Sequence, residues 1–331
     1  MVHWKGWQIA DMPDLHGRVA LVTGASAGIG LVTARELARC GARTFVGFRA
    51  TQRGTAARDA ILARSPDASV ELVRIDLASL DSVEDAAEEI ADRAGHLDIL
   101  VNNAGVMAPP PDVTADGFEL QLGTNHLGHF ALTGRLLPLL LAAEAPRVVT
   151  VSSLAHHGAN GGGLSEPVDF KTLPHGSRWV GYSRSKLANL LFALQLDRLA
   201  RSCGTALRSI PVHPGLTRSE LVARASIGQR KLIGPIAQAS TALGAQSTAD
   251  GALPSLYAAT HPAAASGQYF GPRLGVRGAP GRAAPSRTAR DPELAARLWS
   301  ASAEATGVGY EALCNAPKQA AGKQDTENGH P

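Results

Sequence analysis

A chain of 331 residues, 44% hydrophobic and 18% charged, has the composition of a soluble globular protein and the length for one large α/β domain or two small ones. Its 32 basic and 29 acidic residues leave a formal net charge of +3, too slight at this length to point to nucleic acid as a partner. Cys40, Cys203 and Cys314 are odd in number and far apart, with no CxxC or Cys/His spacing, so neither a metal site nor a disulfide framework is expected and a reducing, cytoplasmic setting fits.

Residues 1–13 read as an N-terminal extension. The opening MVHWKGWQIADMPDLHG lacks the continuous apolar run of a signal peptide, and the most apolar later stretch, Leu136 to Ala143, is short and holds Pro138; no membrane span is expected. From Arg18 onward, short β-branched runs alternate with longer helical patterns, the signature of βαβ units and a parallel sheet. RVALVT (18–23) is the first strand, and a glycine turn leads into a helix from Leu31 to Arg39. RTFVGF (43–48) is the second strand, followed by an Ala/Arg-rich helix to Arg64. VELVRI (70–75) precedes a helix from Asp81 to Ala94, and DILV (98–101) ends in NNAG. A long helix is expected over Gly117 to Leu141, a strand over RVVTVS (147–152), a second long helix over Trp179 to Arg201, and a strand over ALRSIPV (206–212). QYF (268–270) reads as a short final edge strand.

This alternation predicts one α/β domain, a doubly wound, mostly parallel sheet flanked by helices, with two irregular insertions at Gly158–Pro174 and Gly271–Pro285. The arginine-rich stretch Arg273 to Arg290 reads as a solvated Gly/Pro loop, with an acidic substrate or carrier as the alternative. Residues 308–331 read as a polar, disordered tail.

Two features carry chemistry. Thr23 ends the first strand, and Gly24, Gly28 and Gly30 follow as TGASAGIG before a helix: glycine permits a tight turn and close approach to pyrophosphate, and the helix N-terminus presents unpaired N–H groups to the anion. The spacing is GxxxGxG rather than GxGxxG. Downstream, Tyr182 and Lys186 of YSRSK lie four apart on a helix, so the ammonium would favour the ionised phenol of a side chain that ordinarily titrates near about 10. That spacing alone also occurs on solvated helix faces. At the end of the second strand, Phe48 is followed by Arg49, with no carboxylate to bond a ribose 2′-hydroxyl. Arg49 can pair with a 2′-phosphate, which favours NADP(H) over NAD(H); a solvated arginine is the alternative.

TGASAGIG, NNAG and YSRSK, in that order, resemble the short-chain dehydrogenase/reductase family from about Asp14 to Gly307. VSSLAHH (151–157), VHPG (212–215), GQYF (267–270) and LWSASAEATG (298–307) are most similar to its retinol dehydrogenase-like and protochlorophyllide reductase-like members. The resemblance implies a single-domain Rossmann fold. It implies a cofactor site of Gly24, Ser26, Ala27, Gly28, Ile29 and Gly30 at the turn, Asp76 and Leu77 framing the adenine, and Asn102, Ala104 and Gly105 after the fourth strand. Tyr182, Lys186, Pro214, Gly215 and Thr217 complete it at the nicotinamide end. For Asn102 a role in supporting the sheet competes, for Asp76 that of a helix start, and for Thr217 that of a turn hydroxyl.

By the same resemblance the catalytic set is Asn125, Ser153, Tyr182 and Lys186. Tyr182 exchanges a proton with the substrate oxygen, Ser153 orients that oxygen, and Lys186 lowers the tyrosine pKa and bonds the nicotinamide ribose. Asn125 keeps a water that extends a relay from the lysine. Ser152 is the competing hydroxyl, and backbone bonding the competing role for Asn125. His126, His129, His156 and His157 suggest proton transfer or metal binding only weakly, because no ligand set completes them; no metal is expected. The implied reaction interconverts a carbonyl and an alcohol of a small molecule with NADP(H). Leu216, Leu221, Val222, Ile227, Leu232 and Ile233 suggest an apolar lid, hence a lipophilic substrate, although core packing explains them equally. A non-catalytic NADP-binding sensor or scaffold and a reductase of activated C=C bonds stand as alternatives. Assembly with further copies of the chain is common in the family and undecided by these residues.

Overall fold

The runs VALV and ILVN have no polar face, and in the computed structural model, which describes residues 6–159, 164, 168–172, 177–217 and 245–315, all of their residues are buried. Such strands are stable only with both faces of the sheet covered. They are the centre of an eight-stranded sheet: β1 (Val19–Val22), β2 (Arg43–Phe48), β3 (Val70–Arg74), β4 (Ile99–Asn102), β5 (Arg147–Val151), β6 (Arg208–Val212), β7 (Phe270–Pro272) and β8 (Pro280–Arg282). The order is β3-β2-β1-β4-β5-β6-β7-β8, parallel throughout except for β7 against β8. The chain reverses its direction of progress across the sheet between β1 and β4, and the crevice outside the carboxyl ends there is where such folds bind ligands.

The helices are α1 (Gly28–Arg39), α2 (Thr51–Leu62), α3 (Leu80–Arg93), α4 (Leu120–Leu122), α5 (Gly128–Arg135), α6 (Leu137–Ala142), α7 (Arg178–Ser202), α8 (Thr248–Thr260), α9 (Pro292–Thr306) and α10 (Ala312–Asn315). Their ends follow local chemistry. The Ser79 hydroxyl accepts from Ser82 N ahead of α3, the Asp291 carboxylate accepts from Glu293 N and Leu294 N ahead of α9, and Gly307, at φ 66°, closes α9 in the left-handed region. One core includes Ile90 of α3, Leu100 of β4, Phe130 of α5 and Leu196 of α7; a second joins Leu37 of α1 to Val101, Ile210 and Leu256 of α8. A third, with Leu122, Leu187, Leu191 and Leu298, fills the space between α4, α7 and α9.

Four expectations change. The single helix over Gly117 to Leu141 begins at Leu120, passes through a five-residue π-turn, Gly123–Leu127, and breaks again at Leu136, where Pro138 enters the first turn of α6 without an N–H. QYF is not the edge: Phe270 starts β7, which lies between β6 and β8, and the insertion Gly271–Pro285 is largely the β7–β8 hairpin. The tail boundary at residue 307 cuts through packed chain, because Val308, Tyr310 and Leu313 are buried and the Tyr310 hydroxyl donates to Phe130 O at 2.7 Å. That segment folds back over the end of α7 and brings Cys314 to Cys203. The two form a disulfide across 111 residues, with Cα atoms 4.7 Å apart, contrary to the expectation of none. Leu221, Val222, Ile227, Leu232 and Ile233, most of the glycine-rich insertion and residues 316–331 lie outside the described residues.

Candidate active site

A cleft of about 290 Å³ opens along the carboxyl ends of β1, β2, β3, β4 and β5. The turn after β1 forms its floor: Gly24, Ser26, Ala27, Gly28, Ile29 and Gly30 all line it. Gly24, at φ 64°, is in the region that favours glycine, and a Cβ there would stand 2.8 Å from Ala104 Cα; a Cβ on Gly30 would stand 2.5 Å from Gly24 O. The turn therefore stays thin. No acidic side chain occupies the first turn of α1, so its N–H groups meet an anion without a competing carboxylate.

At one end of the cleft stand Arg49, exposed, and Arg53, half-buried, four residues further on in the first turn of α2. Arg49 lies ahead of the helix and Arg53 within it, and both line this end of the cleft. Arg53 was not singled out in the sequence, although it stands in the helix that follows the second strand and Arg49. Asp76 and Leu77 also line the cleft; Asp76 additionally holds its own turn, its carboxylate accepting from Ala78 N at 3.1 Å. After β4 the lining residues are Asn103, Ala104, Gly105 and Val106. Asn102 faces the other way, fully buried, and donates to Thr133 Oγ1 at 2.9 Å. The cleft-facing asparagine of NNAG is thus Asn103, whose amide donates to Thr23 O at 2.8 Å; strand alternation, continued one residue past β4, was the available signal.

Tyr182 and Lys186, on the second and third turns of α7, line the opposite end with Pro214. The two serines after β5 point apart. Ser152, in the cleft lining, donates its Oγ to Lys186 O at 2.7 Å, whereas Ser153, outside that lining, accepts from Ala155 N at 3.2 Å and lies close enough to the Tyr182 hydroxyl to act on its pKa. Lys186 Nζ donates to Val151 O at 3.0 Å and lies 5.9 Å from the centre of the Tyr182 ring. Burial pushes the Tyr182 phenol up to about 12, partly offset by its bond to Ser153, and the same burial pulls the Lys186 ammonium down to about 8. Both shifts come chiefly from removal of the two groups from water.

Asn125 lies in the π-turn, outside the cleft lining. Its Nδ2 donates to Val106 O and Ser185 Oγ, both at 2.9 Å, and its Oδ1 accepts from Val106 N at 2.7 Å. Both side-chain protons are therefore committed to protein partners. Gly215 and Thr217 also stay out of the lining. Gly215, at φ 65°, is pressed against Val276 O, and Thr217 Oγ1 donates to Pro214 O at 3.0 Å, which makes it a turn hydroxyl. Among the described residues no group of three or more His, Cys, Asp or Glu side chains is arranged to hold a metal ion, and no helix is long and apolar enough to cross a membrane.

Residues 18–164 match the family model for short chain dehydrogenase. Over 302 residues the chain is 39% identical to human retinol dehydrogenase 12, covering 90% of this chain and 89% of that protein. It is likewise 39% identical over 307 residues to mouse polyprenol dehydrogenase, covering 90% and 86% of the two chains. A crystal structure of a putative uncharacterized protein from Mycobacterium paratuberculosis is similar at 40% identity and a TM-score of 0.73, covering 92% of this chain and 99% of that one. With the glycine turn, Tyr182 and Lys186 lining one cleft, and likeness running along nearly the whole chain, this protein belongs to the short-chain dehydrogenase/reductase family and is an oxidoreductase acting between CH–OH and C=O groups.

Proposed function

We propose that the chain is an NADP(H)-dependent carbonyl reductase and alcohol dehydrogenase for lipophilic, isoprenoid-type substrates, with Tyr182 as its acid and base. The observation that carries this reading is the polarity of the cleft: Tyr182 and Lys186, with Ser153 beside the phenol, stand at one end and Arg49 with Arg53 at the other. The thin turn Gly24–Gly30 and the α1 N-terminus fit a pyrophosphate between them. The two arginines fit the 2′-phosphate of NADP, and no carboxylate at the end of β2 favours a free 2′-hydroxyl.

Bound there, the nicotinamide would give a hydride to a carbonyl carbon or take one from an alcohol. Ser153 orients the substrate oxygen toward the phenol. In reduction the Tyr182 hydroxyl hands its proton to the developing alkoxide; in oxidation the phenolate takes the alcohol proton. Lys186, held by Val151 O, keeps a cation close to the phenolate as it forms. Asn125 acts through structure, fixing Val106 and Ser185 around this end of the cleft. The substrate class draws on the relatives, one named for retinol and the other for polyprenol, both long apolar chains ending in an alcohol.

The test is nicotinamide absorbance followed across retinoid and polyprenoid aldehydes, steroid ketones and aryl ketones, with NADPH and NADH compared. Turnover of an isoprenoid aldehyde with NADPH at least about ten times more efficiently than with NADH supports the reading. A preference for NADH, or turnover confined to small polar carbonyls, counts against it.

A further inference from the structure

His129 of α5 is fully buried and bonded at both ring nitrogens to the frame of the cleft. Nε2 lies 2.9 Å from Thr23 Oγ1, and Nδ1 lies 3.0 Å from the backbone oxygen of Asn125. The protons on this line can be assigned. A carbonyl oxygen only accepts, so Nδ1 carries the hydrogen. Burial holds the imidazole pKa down to about 4, which leaves the ring neutral and Nε2 a bare acceptor. The Thr23 hydroxyl must then donate to Nε2; its other nearby acceptor, Val101 O, is more distant at 3.3 Å. The lone pairs of Thr23 Oγ1 in turn receive Asn103 N at 2.9 Å and Ala104 N at 3.0 Å. No polar atom on the line lacks a partner.

Each end of the line reaches part of the cleft. At the Thr23 end it fixes Asn103 and Ala104, and Ala104 is the residue against which Gly24 of the cofactor turn is packed. At the Asn125 end it fixes the π-turn, whose asparagine side chain bonds Ser185 Oγ, which donates to Tyr182 O at 2.8 Å. One hydrogen-bonded path therefore runs from the end of β1 to the backbone of the tyrosine, and the imidazole is the link between its halves.

We propose that His129 is a positioning residue: held as the Nδ1–H tautomer between Thr23 and Asn125, it sets the spacing between the cofactor turn and the helix that carries Tyr182. The inference rests on reading the cleft as a nicotinamide site, and two measurements separate its failure from failure of that reading. The first needs neither ligand nor turnover. Nitrogen-15 NMR of the imidazole rings in the wild-type protein, with His129 identified by loss of its signals in His129→Gln, should find it neutral and Nδ1-protonated from about pH 5 to 8. An Nε2–H tautomer, or a ring that gains a proton within that range, overturns the proposal.

The second is a double-mutant cycle read by NADPH fluorescence titration. Thr23→Val and His129→Leu should each weaken NADPH affinity by about ten-fold, the effect expected for losing one buried hydrogen bond. The double variant should be no weaker than the worse single one, because both break the same line. Multiplication of the two losses to about 100-fold, or NADPH affinity unchanged in His129→Leu, overturns the positioning role. If the wild-type protein binds no NADPH, the cofactor reading fails and the positioning role with it, while the tautomer stands or falls on the NMR alone.

Discussion

At the scale of single residues, the decisive quantity is the charge state of Tyr182. Its phenol is held at about 12 by burial and Lys186 at about 8, so near neutral pH the tyrosine is protonated, the form that the proposed reduction uses. Oxidation needs the phenolate, whose population rises ten-fold with each pH unit below the phenol pKa. The kcat/KM for alcohol oxidation should therefore climb between about pH 7 and 8 and flatten above that as Lys186 loses its proton, while that for carbonyl reduction does not rise. A pH–rate profile in both directions checks this; an oxidation rate flat in pH would remove Tyr182 as the base. Much of this site was legible beforehand. The glycine turn, Arg49, Tyr182 and Lys186 are local signals, each tied to the end of a predicted element, whereas only the family resemblance separated Ser153 from Ser152. What was not legible depended on packing. Strand alternation alone points to Asn103 over Asn102 in NNAG, and only the placed end of β4 confirms which one faces the cleft. His129 carried little weight as a histidine without a ligand set, because its partners, Thr23 and Asn125, are contacts that only the fold brings together.

At the scale of elements, sequence periodicity located the central strands and α7 to within a residue or two, since a fully buried strand or a long helix repeats its signal several times. It failed where an element is short or interrupted. PGR of β8 has no β-branched or aromatic residue and becomes a strand only by pairing with β7. The π-turn at Gly123–Leu127 adds no break to the apolar pattern that would distinguish it from a helix. The Cys203–Cys314 bridge escaped for a related reason, because the segment after Gly307 looks polar in sequence while three of its side chains are buried. Closing a loop of 111 residues should contribute about 2–4 kcal/mol by restricting the unfolded chain. Thermal unfolding with and without a reductant, and of Cys203→Ser, measures it. A lower midpoint for the reduced protein and for the variant is expected, and identical midpoints would show that the bridge does not constrain the chain.

At the scale of the whole molecule, buried histidines couple the fold to pH. His126, at about 3, and His129, His156 and His213, each at about 4, are held neutral mainly by desolvation. Each folded pKa lies below the ordinary value of 6.5. Between these limits the unfolded chain binds more protons, so stability falls as the solution is acidified. Urea midpoints should therefore drop between about pH 7 and 5, before most carboxylates titrate; constant midpoints would mean that the rings are not buried as described. The central claim, that the cleft joins an NADP site to a tyrosine acid and base, is tested most directly by Tyr182→Phe. Removing one oxygen should leave NADPH affinity within about two-fold of wild type and cut NADPH-dependent reduction of an isoprenoid aldehyde by at least about 100-fold. A variant that binds NADPH equally well and turns over at the wild-type rate would contradict it.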